Sequence, residues 1–148
     1  MSKLWNLIEL PVYGIIIWSV LSIFLQVYGA VPLWLISVME FGVVIIAFGW
    51  IGRSMQGKGF LKAAKPGAIA GAIVGFVSAI LGIFSFYFFP QIYVASIEQM
   101  AARGVPADAI QTYLTIGVYF GLLSGPVLNA GVGAIISGLS SMIKWQKK

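Results

Sequence analysis

Residues 67–89 read GAIAGAIVGFVSAILGIFSFYFF, twenty-three residues without a charge. A helix of that length covers about 35 Å at 1.5 Å per residue, enough to cross a hydrocarbon core of about 30 Å. Within it Gly71, Gly75, Ser78, Gly82 and Ser85 recur at steps of four, three, four and three. At 100° per residue they fall within about 80° of helix surface, a narrow seam of small side chains on a bulky helix. In lipid such a seam lets a second backbone come close, so it is the expected main helix contact, within the chain or between chains. Gly67, Gly71, Gly75 and Ala79 form an overlapping series at steps of four.

Three more apolar stretches flank this one, at about residues 10–28, 33–51 and 113–143. Continuous runs of this length are helices, because a membrane barrel alternates in short segments. The expected fold is an all-α integral membrane protein, one domain over residues 1–148 with four transmembrane helices. Gly29-Ala30-Val31-Pro32 makes a tight turn, and Lys65-Pro66-Gly67 opens the third span with its proline in the first helical turn. Pro90 closes or kinks that span, and a short amphipathic helix is expected on the outer side before Gly104-Val105-Pro106 breaks it. The first span is expected to be retained, because bulky Tyr28 stands where a cleavage site needs a small residue.

Composition agrees. Of 148 residues, 60% are hydrophobic and 9% charged, against about 45–50% and about 25% in a soluble domain. Lys3 precedes the first span, Arg53, Lys58, Lys62 and Lys65 fill the second connection, and Lys144, Lys147 and Lys148 form the tail. The positive-inside rule puts both termini in the cytoplasm and leaves Arg103 outside. Trp5, Trp50 and Trp145 then mark the inner interface, and Tyr28, Trp34, Tyr87, Tyr93 and Tyr113 the outer one. The cell membrane (inner or plasma) is the expected location. The net charge of +5 is a topology signal and calls for no nucleic acid. Lys58, Lys62 and Lys65, beside Phe60 and Leu61, form either an ordinary inner loop or an anionic-lipid contact, at about 1 kcal/mol per basic residue.

Glu40 is the ionisable residue well inside a span. Twelve Leu, Ile, Val or Phe residues between Val31 and Ile51 offset the roughly 3 kcal/mol cost of one central carboxylate, so the span inserts. Counted from the basic inner boundary, Glu40 and Ser78 lie about 20 Å deep, Asn129 about 22 Å and Ser19 about 24 Å. These four are expected to form a polar layer near the midplane, with Ser19 starting a stripe that includes Ser22 and Gln26. Glu40 is then either interhelical glue or a proton or cation coupling site. In the fourth span Pro126 removes a backbone donor and is expected to kink the helix, as a packing feature or as a hinge.

No catalytic chemistry is legible. With no cysteine or histidine there is no thiolate or imidazole nucleophile, base or metal ligand, and no cofactor or metal site is expected. Gly57-Lys58-Gly59 lacks the rest of a phosphate loop.

From Gly57 onward the chain resembles a bacterial family of small four-span proteins, the domain of unknown function numbered four thousand one hundred and ninety-nine. The likeness rests on Gly59-Phe60 with Ala63 and Gly67, on Tyr87-Phe88-Phe89-Pro90, on the break near Gly104, and on Pro126 with Gly133-Ala134-Ile135-Ile136-Ser137 before a basic tail. The outer loop is shorter than is usual in that family. The resemblance implies four spans and transfers no catalytic residue. The expected function is therefore non-enzymatic: a helix-packing accessory or scaffold subunit, with the lipid bilayer and other membrane subunits or itself as partners. The alternative is a small channel or a proton- or cation-coupled carrier using Glu40. If the polar layer holds the bundle together, Glu40→Ala lowers the melting temperature in detergent more than Glu40→Gln does; unchanged stability in Glu40→Ala removes the layer as a structural element.

Overall fold

The computed structural model describes residues 2–144; Trp145, Lys147 and Lys148 lie outside the described residues. The helices are α1 (Ser2–Val27), α2 (Leu33–Ser54), α3 (Phe60–Phe88), α4 (Val94–Ala102) and α5 (Ala107–Met142), with a 3-10 turn at Pro90–Tyr93. No strand occurs among the described residues. α1, α2, α3 and α5 are each long and apolar enough to cross a membrane, which makes this a multi-pass membrane protein.

Three starts differ from the sequence reading, the first being that of α1, which begins at Ser2 rather than at about residue 10 and carries Pro11 inside the helix. α3 begins at Phe60 rather than at Gly67, so Pro66 lies inside the helix and is buried there. The cause is an anchor upstream of the lysines: the Phe60 ring occupies the space that a Cβ on Gly138 of α5 would need. Lys62 and Lys65 tolerate this extension because both stay exposed. α5 likewise starts at Ala107, behind an extended Pro106, and takes up the residues ahead of Tyr113. It runs helical through Pro126, whose missing N–H leaves the Leu122 carbonyl without its intrahelical donor.

Around the bundle the order is α1, α2, α5, α3: α1 lies against α2 and α3, α5 against α2 and α3, α2 also reaches α3, and no Cα of α1 comes within 8 Å of one in α5. The α3–α5 contact is backbone against backbone. A Cβ on Gly67 would meet the carbonyl of Gly133, one on Gly71 the carbonyl of Asn129, and one on Gly75 the carbonyl of Gly125. Four residues forward on α3 match four back on α5, so the helices are antiparallel and in register over a little more than two turns. α2 joins this pair through Ser137, whose Oγ donates to the Phe48 carbonyl at 3.0 Å. Both residues are fully buried, and a buried hydrogen bond of this kind contributes about 1 kcal/mol. Ile8, Val12 and Ile15 of α1 close the core against Phe48, Ile51 and Val74.

All these contacts lie toward the end of the bundle that carries the N-terminus and the α2–α3 turn. Toward the α4 end the packing opens. A Cβ on Gly82, Gly117 or Gly121 would find nothing within 4 Å, and α3 and α5 meet there through the tips of Tyr87 and Tyr119, hydroxyl to hydroxyl at 2.9 Å. One helix face of small residues is thus used twice, for contact below and for space above. Alanine substitution separates the two uses. Gly71→Ala and Gly75→Ala are expected to lose about 1–3 kcal/mol in detergent melts through overpacking, against a helix-propensity gain of about 1 kcal/mol. Gly82→Ala, with open space, is expected to leave the melting temperature unchanged or raise it.

Candidate functional site

The open half holds a polar cavity of about 200 Å³. α1 supplies Ser19, Ser22 and Gln26, whose steps of three and four put them on one face. Ser19 Oγ donates to the Ile15 carbonyl at 3.0 Å and Ser22 Oγ to the Ser19 carbonyl at 2.9 Å. Those short-range bonds within the helix let an apolar span carry two buried serines. α3 contributes Ser78 and Ser85, the latter donating to the Leu81 carbonyl at 2.8 Å. Glu40 comes from α2. Its side chain is exposed at this wall, and no hydrogen bond from the described residues reaches its carboxyl. Tyr93 of the 3-10 turn also lines the cavity, and its Oη donates to the Gly82 carbonyl at 3.3 Å.

Of the four residues expected in one layer, Ser19, Glu40 and Ser78 line this cavity and Asn129 does not. Asn129 instead lines a neighbouring cavity of about 460 Å³ between α3 and α5, with Gly117 and Gly121 opposite Ser78, Gly82 and Tyr93. The depth count from Lys144 misplaces it because the tail lysine and Lys65 do not share a level. Gly67 is level with Gly133, so α5, which ends at Met142, extends past the level of Lys65 by about seven residues, or roughly 10 Å, before Lys144 is reached. Asn129 therefore sits beside Gly71, and its Nδ2 donates to the Gly125 carbonyl at 2.9 Å.

The small-residue seam divides at Ser78. Gly71 and Gly75 lie against α5, whereas Ser78, Gly82 and Ser85 face the polar cavity. Pro126 packs its Cα toward Gly75. Lys58, Lys62 and Lys65 are exposed at the start of α3, around a Leu61 that is 81% exposed, and Lys58 Nζ lies 3.7 Å from Met55 Sδ. Among the described residues no three His, Cys, Asp or Glu side chains come together as a metal site would require.

Ser22 and Gln26 were visible as a stripe along α1, but Tyr93 reads in sequence as one more interfacial aromatic. Only the 3-10 turn after Pro90 swings it over Gly82. Comparison with protein-family models, with curated proteins and with solved structures finds no match for this chain.

A cavity of this size is below the roughly 300–1,000 Å³ of sites for drug-sized ligands. It has room for several waters, at about 30 Å³ each, or for a small ion with part of its hydration shell. Burial raises the Tyr93 phenol above its ordinary value near 10. Because the folded-state value is the higher one, the stability it carries is complete below about pH 10 and is lost as pH climbs through the raised value. The melting-temperature gap between wild type and Tyr93→Phe is therefore expected to narrow above about pH 10; a gap that widens there would contradict this assignment.

Proposed function

We propose that this protein is a non-enzymatic carrier of the cell membrane that takes up a proton or a small cation in the cavity around Glu40. The observation that carries this reading is the convergence of Ser19, Glu40 and Ser78, from three helices, on one polar cavity. Intramembrane acids are retained where they have work to do, because a central carboxylate costs roughly 3 kcal/mol to insert. The distribution of Lys and Arg puts both termini in the cytoplasm, so the cavity lies in the outer half of the membrane and the packed half faces inward. A cavity open on one side of a closed bundle suits alternating access better than a continuous pore.

An accessory or scaffold role drew its strength from the α3 seam. Gly67, Gly71 and Gly75 meet α5 of the same chain, so such a role needs a different surface. The likeness to the bacterial four-span family belongs to this proposal as well, and it assigns no activity.

Reconstituted into liposomes, the protein is expected to support a proton or cation flux that falls to the rate of empty liposomes in Glu40→Gln. Flux unaffected by Glu40→Gln would defeat the proposal. Absence of flux, together with co-purification in one membrane complex at fixed stoichiometry, would replace it with the accessory-subunit reading.

A further inference from the structure

We infer that the cavity around Glu40 binds a small, singly charged cation, selected by oxygen acceptors converging from three helices and the 3-10 turn. This deepens the carrier reading and rests on it for the site, though not for transport.

The inference comes from where the hydroxyl protons go. Ser19, Ser22 and Ser85 donate to the carbonyls of Ile15, Ser19 and Leu81 within their own helices, and Tyr93 donates to the Gly82 carbonyl. Each hydroxyl has one proton and two lone pairs. With the proton committed to backbone, what each offers a ligand is acceptor oxygen. Glu40 adds a carboxylate, and neither Lys nor Arg lines the cavity. Ser78 and Gln26 alone among these polar side chains keep donors uncommitted. The polar lining is thus rich in acceptors and, with Glu40 ionised, carries one negative charge. That complements a cation and repels an anion.

The charge of the cation follows from the same inventory. Calcium takes six to eight oxygens, several of them carboxylates, whereas one carboxylate balances one positive charge. The cavity volume of about 200 Å³ limits the occupant to an alkali ion with some water, to ammonium, or to a small alkylammonium. The chemistry shared by these is a monovalent centre satisfied by oxygen lone pairs.

Methylammonium and sodium are the probes. Binding of radiolabelled methylammonium and of radiolabelled sodium to the purified protein is measured in nanodiscs, at constant ionic strength with the bulky N-methyl-D-glucamine chloride as the balancing salt. Saturable binding of one or both is expected. Glu40→Gln should weaken it by roughly tenfold or more, given the strength of hydrogen bonds to charged groups. The double variant Ser19→Ala/Ser22→Ala tests the acceptors separately from the carboxylate and should also weaken it. Ser37→Ala, an exposed serine on α2 bonded to the Leu33 carbonyl and outside the cavity, should bind as wild type does. Competition between the probes assigns the site to an alkali ion or to an ammonium-type ligand. The inference is overturned if folded wild-type protein binds neither probe saturably, or if Glu40→Gln binds both unchanged with a wild-type elution profile. Glu40-dependent cation binding without flux would uphold it and remove the carrier reading. Glu40-dependent proton flux with neither probe bound would do the reverse.

Discussion

The close approach of two backbones, α3 at Gly67, Gly71 and Gly75 to α5 at Gly133, Asn129 and Gly125, is the constraint on which the rest of the bundle depends. Lipid chains are as apolar as leucine, so helices in a membrane gain little by burying apolar side chains against each other. Association draws instead on dense van der Waals contact and interhelical hydrogen bonds. Glycine supplies the first by removing the side chain that would hold the axes apart. Ser137 supplies the second, reaching the Phe48 carbonyl from the same stretch of α5. The contact sets the register of α3 on α5, and α2 then docks with Gly52 against the Ser137 backbone.

That register also decides where the bundle is loose. The glycines continue along α3 and α5 past Gly75 and Gly125, yet Gly82, Gly117 and Gly121 touch nothing across the interface. Small residues in the packed half remove bulk so that backbones meet. In the open half they remove bulk and leave a cavity, which the tyrosines close from above at Tyr93 and bridge at Tyr87 and Tyr119. Ser19, Ser22, Glu40, Ser78 and Ser85 line this space, whereas the packed half takes in Ser137 only with its hydroxyl bonded to the Phe48 carbonyl. Serines bonded within their own helices can face such a space without a protein partner for their lone pairs, and a carboxylate there keeps access to water or an ion.

The four spans were legible because hydrophobic length is a local property, and the barrier it must match has a known thickness. Their starts were less so. In sequence Gly67 reads as the opening of the third span because Lys62, Lys65 and Pro66 precede it, and only contact between Phe60 and Gly138 explains the helix running back past them. Within the candidate site, Ser19, Glu40 and Ser78 could be grouped from their distance to the basic boundary. Asn129 was drawn in by the same arithmetic and belongs to the neighbouring cavity, since counting along each helix assumes that all helices share one level. Tyr93 reads in sequence only as an interfacial aromatic, and its place over the cavity depends on a turn whose direction is not written in the residues around it.

Sequence by itself determined that this chain lives in a membrane as helices, how many there are, and that one carboxylate stands inside a span. Those follow from composition and length, which act residue by residue. Tertiary structure alone decided how the small residues are used and which polar groups meet. The small-residue stripe of α3 is uniform in sequence, and nothing in it distinguishes Gly75, pressed against a carbonyl, from Gly82, facing open space. The difference arises from the divergence of α5, because two helices in contact at one end need not remain in contact at the other.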